Sequence, residues 1–314
     1  MLCRLLVASL MLCTVVPAVA AEIEILNVYD AFGSSKGAKQ HFGFSAVVKH
    51  GESTILFDSG ADADIFASNL KALGVDPREI DIAVASHNHA DHISGFDYLL
   101  EVNPDVRLYL PHDFALGAPL KMSLVGTDPA VVADLPPEQI YFGGDFETST
   151  LTTSGRFRGA NVEYVREGKE IAPGVHLVPT KSKLLGTFSR YPPNEKDPSL
   201  GPMPELSLSV ETDSGDVLLV GCSHASVEVI VKDARERFGR PIRLLAGGYH
   251  LLPYDDEYIS ALTRRLREEH DVAQVAPAHC TGHLAFKLLR EAYGDDYRFF
   301  GLGQKIALTK EVPR

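Results

Sequence analysis

Ser86-His87-Asn88-His89-Ala90-Asp91-His92 follows directly on the apolar run Ile82-Ala83-Val84-Ala85. The run reads as a buried strand, and the polar stretch as its exit loop winding into a helix. Three imidazoles and a carboxylate crowd into this loop, in a chain with only 12 His. Residues i and i+2 of extended backbone point the same way, so His87 and His89 can hold one cation together. Asp91 and His92, where the chain begins to wind, can reach a second ion beside the first. This mixture of nitrogen and carboxylate ligands suits zinc and similar borderline divalent metals.

Outward from that loop, the same arrangement recurs downstream. Residues 217–220 read as a buried strand ending in Gly221-Cys222-Ser223-His224. Residues 242–246 end in Gly247-Gly248-Tyr249-His250, and residues 272–276 lead to His279-Cys280. Helical spacing follows the first two, through Val227, Ile230, Val231, Ala234 and Phe238, then Ile259, Leu262 and Leu266. Strand–loop–helix units gather ligands at the carboxyl ends of their strands. His224, His250 and His279 are therefore expected on the rim that carries His87 and His89. Upstream, residues 23–28, 42–48 and 53–57 read as consecutive strands of a meander. Residues 62–73 read as a helix with Ile65, Leu70 and Leu73 on its apolar side and Gly74 as its stop, 93–102 as a second helix, and 106–110 as a strand. The stretch 111–204 is rich in Gly, Pro, Ser and Thr, with candidate strands at 161–166 and 175–179. Residues 186–204 read as a long loop suited to a substrate-contacting flap.

The H-x-H-x-D-H spacing of His87, His89, Asp91 and His92 resembles the metallo-β-lactamase superfamily of metallohydrolases. Ile55-Leu56-Phe57-Asp58-Ser59-Gly60 is similar to that family's strand-ending L-F-D-T-G element, with Ser for Thr. Ala276-Pro277-Ala278-His279 matches the strand end where the family places its last ligand. The resemblance runs from about residue 23 onward. It implies an α+β fold, a four-layer αββα sandwich, as a single domain over 21–314 with a loop-rich insertion at about 111–204. It also implies that Asp58 supports the metal loop without being a ligand. One departure stands out: where the family has a bridging Asp, this chain has Gly221-Cys222-Ser223-His224, so His224, Cys222 or neither fills that place. Gly-Cys-Ser-His, Gly247-Gly248-Tyr249-His250-Leu251 and His279-Cys280-Thr281-Gly282 together resemble a branch of dihydropterin-ribofuranosylaminobenzene-phosphate synthase-like proteins.

Residues 1–20 have the pattern of a secretory signal peptide: Arg4, an uncharged apolar run over 5–16, and Ala18-Val19-Ala20 as a small-x-small cleavage site. The mature chain is expected to start at Ala21 or Glu22, to be exported to a periplasm or beyond, and to insert in no membrane after cleavage. With 30 Lys+Arg against 42 Asp+Glu the chain is acidic, and it shows no basic stripe, so nucleic acid is excluded as a partner. Signal cleavage leaves Cys222 and Cys280. In an oxidising compartment they can pair. The loop position of Cys222 also suits a soft metal ligand or a pocket wall, and Cys280 reads as a buried structural thiol. His41, His50, His112, His176, His270 and His283 read as ordinary polar residues, with His41 and His112 placed to line a pocket.

The expected function is an exported hydrolase of a small ester, lactone, amide or phosphoester, using one or two divalent ions, zinc foremost. His87, His89 and His279 are expected to hold one ion and Asp91, His92 and His224 the other. Asp91 doubles as the acid–base residue, and His250 is a supporting or substrate-contacting imidazole. The alternatives are a C–N bond-forming transferase like the synthase branch, or a metal-binding receptor without turnover. Oligomeric state is not legible in the sequence.

Overall fold

The computed structural model describes residues 21–112, 157, 159–180 and 204–309, with position 136 and the strand pieces Leu120–Ser123, Thr150–Thr153, Thr187–Phe188 and Gly201–Pro202. The signal-peptide pattern and most of the flap expected at 186–204 lie outside the described residues.

The strands of the two large sheets are, in chain order, β1 (Ala21–Tyr29), β2 (Ser45–His50), β3 (Ser53–Phe57), β4 (Ile82–Val84), β5 (Arg107–Pro111), β6 (Asn161–Val165), β7 (Lys169–Ala172), β8 (Val175–Thr180), β9 (Glu205–Thr212), β10 (Gly215–Val220), β11 (Ile242–Gly248), β12 (Gln274–Ala278) and β13 (Lys305–Thr309). One sheet has seven strands in the order β13-β1-β2-β3-β4-β5-β6, and the other six in the order β12-β11-β10-β9-β8-β7. Each is mixed. β3 to β6 run parallel, as do β10 to β12, and the remaining neighbours are antiparallel. The segment 111–204 is thus more than an insertion, since β6, β7 and β8 complete both sheets.

Three apolar layers hold the sheets and helices together. Ile55 and Phe57 of β3 meet Val217 and Leu219 of β10 between the sheets. Their alternates turn outward: Leu56 packs toward α1 (Ala63–Ala72) and α3 (Phe96–Val102), which follows α2 (Ala90–Ile93). Leu218 and Val220 pack toward α4 (Val227–Phe238), α5 (Asp256–Glu268) and α6 (His283–Tyr293). Covering both faces of a sheet explains why β10 reads as an unbroken apolar run. Each such side chain fully withdrawn from water contributes about 1.5–3 kcal/mol. The result is the αββα sandwich expected from the resemblance.

Two local readings change. The helix expected over 93–102 is divided at Ser94-Gly95 into α2 and α3, and Gly95 lies against the Ser59 carbonyl and the Phe66 ring with no room for a side chain. The strand expected from 42 begins at Ser45 instead. Gly43, at φ 140°, bends the chain and leaves the Phe42 ring exposed, 4.9 Å between centroids from His279.

Candidate metal centre

The parallel strands deliver their exit loops to one rim. Leu206 N–H donates to Ser86 O at 2.8 Å, and Gly248 N–H to Gly221 O at 3.0 Å, so the two sheets and adjacent loops are joined by backbone there. Five of the six non-glycine residues with positive φ among the described residues lie in these loops: Asp58, Ser223, Ser226, His250 and His279. Such backbone is costly for ordinary side chains and is retained where surrounding structure fixes it, often at functional sites.

Asp58 organises the first loop. Its fully buried carboxylate accepts from Ser86 N–H at 2.6 Å, from Ser86 Oγ–H at 2.7 Å, and from His92 Nδ1 at 2.6 Å. Ser86 Oγ also stands 2.8 Å from His87 Nδ1. These contacts orient both rings. His92 Nε2 is left to face Cys222 Sγ at 3.1 Å and His279 Nε2 at 3.2 Å, and His87 Nε2 is left with no partner among the described residues. Gly221 packs on Ser86, and an added Cβ there would collide with the serine side chain and stand 3.1 Å from Asp58 Oδ2. Gly221→Ala is expected to cost about 1–3 kcal/mol of stability through overpacking, read as a lowered melting temperature. An unchanged melt would count against this tight junction.

The ligand atoms fall into two adjoining triads. His87, His89 and His224 form one, and Asp91, His92 and His279 the other; within each, one ligand atom per residue lies within 4.8 Å of the others. The ring centroids of His87 and His92 are 4.2 Å apart, so the triads share a wall. This corrects the expected partition: His224 joins His87 and His89 (centroids 4.8 and 4.6 Å), while His279 joins Asp91 and His92. The reason is strand order. β12 ends at the far edge of its sheet, where the loop from β1 reaches across and Asp30 Oδ2 accepts from His279 N–H at 3.1 Å. β10 lies further inside the same sheet, and its loop delivers His224 to the histidine pair.

Cys222 lies between the triads and belongs to alternative clusters with His87 and His92 and with His224 and His250. Cys280 differs from its reading as a simple structural thiol. Both cysteines are free and buried, their Sγ atoms stand 3.5 Å apart, and Cys280 clusters with Cys222 and His279. The His250 ring is 4.4 Å from that of His224. His41 instead meets Tyr29 Oη through Nδ1 at 2.9 Å and belongs to neither triad. Sequence reasoning missed Ser86, Asp30 and Glu205. Glu205 Oε2 accepts from Ala225 N–H at 2.6 Å, beside His224. Their signal was adjacency: each is at or next to the end of a strand leading to the rim.

The donor set fits divalent metal. Burial, reinforced by the neighbouring imidazoles, lowers His87 well below the ordinary histidine range and His224 to about 3, so both rings are neutral ligands at neutral pH. Both His224 nitrogens are buried without a partner among the described residues, a condition a bound ion relieves. Burial opposes charge on His279, but Cys280, Asp91 and Asp30 outweigh it and raise that ring to about 10 in the ion-free cluster. Filling the second triad must therefore expel a proton, and apparent zinc affinity should rise with pH by roughly tenfold per unit per proton until that ring is neutral. Calorimetry in buffers of different ionisation enthalpy reads this release directly; proton-neutral binding at pH 7 would refute it. Burial also raises Asp30 to about 6 and Glu205 to about 7.

The family model described as metallo-beta-lactamase superfamily matches residues 38–279. The chain is 26% identical over 265 residues to the 7,8-dihydropterin-6-methyl-4-(beta-D-ribofuranosyl)-aminobenzene-5'-phosphate synthase of Methanocaldococcus jannaschii, covering 80% of this chain and 83% of that protein. Among solved structures, it is similar to Tm1679, described as a metal-dependent hydrolase of the beta-lactamase superfamily, with TM-score 0.63 and 26% identity, covering 92% of this chain and 100% of that one. The metallo-beta-lactamase fold protein YhfI from Bacillus subtilis matches with TM-score 0.51 at 14% identity, over 92% of this chain and 100% of that one, a likeness of fold.

Proposed function

This chain belongs to the metallo-beta-lactamase superfamily, and we propose that it is an exported metal-dependent hydrolase of a small ester, lactone, amide or phosphoester. The observation that carries the reading is the pair of adjoining triads at one rim, His87–His89–His224 and Asp91–His92–His279. The first would hold one ion and the second another, with zinc favoured by the nitrogen-rich set. Bound ions supply Lewis-acid polarisation of the substrate oxygen and an acidified water.

The protein's own groups do the positioning. Asp91 is the one carboxylate in the triads, and its partly exposed Oδ2 stands 3.4 Å from His279 Nε2 and 3.7 Å from His92 Nε2. Burial would raise its pKa, but the His279 contact and the charges of His92 and His279 hold it below the usual carboxylate range. Ionised at neutral pH, it can orient a nucleophile, accept its proton and pass that proton to the leaving group. The Phe42 ring lies beside that of His279, 4.9 Å between centroids.

The test is a panel of esters, lactones, amides and phosphoesters offered to the zinc- and manganese-loaded protein. Hydrolysis of at least one class is expected, and Asp91→Asn should slow it by about a hundredfold. A folded, ion-loaded protein inert across the panel ends this reading. The second reading, a C–N bond-forming transferase, has support from the curated relative and from the Gly-Cys-Ser-His element; tight pterin binding without hydrolysis would favour it. For export the support is the pattern of residues 1–20, and among the described residues no helix is long and apolar enough to cross a membrane. Sequencing the N-terminus of protein recovered outside the cytoplasm should give Ala21 or Glu22.

A further inference from the structure

β10 and β12 flank β11, and their exit loops meet across its last residue, Gly248. The missing side chain leaves the room: a Cβ on Gly248 would stand 3.0 Å from Cys280 Sγ. Cys222 from one loop and Cys280 from the other come together there. Both are 3% exposed, and their Sγ atoms are 3.5 Å apart. A disulfide would need about 2.05 Å. Two thiolates on one tetrahedral ion, each at about 2.3 Å from it, stand roughly 3.8 Å apart. The pair is spaced for a shared ion rather than for a bond.

Nitrogen is present at the same point. One ligand atom from each of Cys222, His279 and Cys280 lies within 4.8 Å of the others. His279 is 5% exposed, and its Nδ1 has no hydrogen-bond partner among the described residues, nor has the buried Nδ1 of His250. Buried polar atoms are paired in the great majority of cases. The His250 ring in turn hydrogen-bonds Cys280, so a second imidazole stands beside the sulfur pair. Two sulfurs with imidazole make a donor set for zinc and more thiophilic cations. The second triad is chemically different. Asp91, His92 and His279 offer one oxygen and two nitrogens, and the carboxylate suits harder ions such as manganese.

We propose that Cys222, Cys280 and His279 form an ion position of their own beside the two triads, one that takes thiophilic cations such as cadmium or copper(I) and leaves harder ions to Asp91, His92 and His279. His279 is common to both positions, so the softness of the ion decides which residues of the rim it engages. The inference rests on the rim being an ion-binding site and not on the reaction performed there.

The test uses the full chain with Cys3→Ser and Cys13→Ser, which leaves Cys222 and Cys280 as its only thiols. Cadmium and manganese are titrated into it separately, under a phosphine reductant. Cadmium should raise a sulfur-to-metal charge-transfer band in the ultraviolet, and X-ray absorption should find both sulfurs on the ion. Cys280→Ser should remove about half of that band, since the thiolate is the ligand. It should also weaken cadmium by about a hundredfold or more, the share of one ligand in a sulfur-rich site. Manganese affinity, read by calorimetry, should be unchanged in this variant. Asp91→Asn should do the reverse, weakening manganese and sparing the band. A cadmium ion with no sulfur neighbour, or with Cys222 alone, overturns the position, as does a band that survives Cys280→Ser in full. If Cys280→Ser fails to fold, the sulfur count in the chain that keeps both thiols decides by itself. None of these readouts needs turnover. A sulfur-bound ion with an inert hydrolase panel sinks only the hydrolase, and hydrolysis without a sulfur-bound ion sinks only this position.

Discussion

His87→Ala should empty the first ion position and lower turnover by about a thousandfold or more, roughly 4 kcal/mol of transition-state stabilisation. The ring is fully buried and pinned at Nδ1 by Ser86 Oγ; it belongs with His89 and His224 to the first triad and packs 4.2 Å between centroids from His92 of the second. Without it, the first triad keeps two imidazoles, too few for the three protein ligands that catalytic zinc sites commonly use. The vacated volume is polar and does not refold into apolar core. Elemental analysis should show a lower metal-to-chain ratio, with the loss of turnover tracking it. Full metal content together with normal turnover would remove His87 from the chemistry.

Asp58→Ala should be the most damaging change that touches no ion ligand position. Three donors converge on that carboxylate, and alanine leaves Ser86 N–H, Ser86 Oγ and His92 Nδ1 facing a buried gap. Removing one side of a buried charged network costs about 3–5 kcal/mol, and losing the partner that orients a ligand histidine weakens metal by about 10- to 100-fold. Asp58→Asn separates the two effects. Asparagine tolerates the left-handed backbone at φ 60°, so folding should largely survive. Its amide puts a donor where an acceptor is needed, so the metal deficit should remain. Thermal melts with chelator and with zinc give both quantities. An Asp58→Ala protein that melts and binds zinc like wild type would contradict the role assigned to the carboxylate.

Much of this was legible because it is local. The His87–His92 loop, the Asp58 turn and the three later strand-end histidines each announce themselves within a few residues. β10 and α4 are strongly patterned, and their readings fall within a residue or two of the elements observed. What escaped is nonlocal. β13 is five residues long, and its pairing with β1 and the burial of Ile306 and Leu308 between the sheets stabilise it, neither of which a local pattern encodes. α6 opens straight out of the His279 loop on Gly282, with no side-chain cap to announce it. The assignment of His224 and His279 to triads depends on where β10 and β12 sit in their sheet, and spacing along the chain is blind to strand order. Glu205 looked like any acidic residue at the start of a strand, and only its burial against Ala225 N–H distinguishes it.

The stitching of β1 to the segment around β13 has a consequence for synthesis. Asn27 N–H donates to Gln304 O and its side-chain amide to Phe300 O, Gly303 N–H returns to Asn27 O, and Leu302 N–H reaches Phe32 O. A ribosome releases residues 21–33 long before their partners at 300–304 exist. Until those partners emerge, the first sheet has an open edge, and Asp30, already held by Asn27, has no His279 amide to secure. The second triad can therefore be completed only once His279, near the end of the chain, has been made.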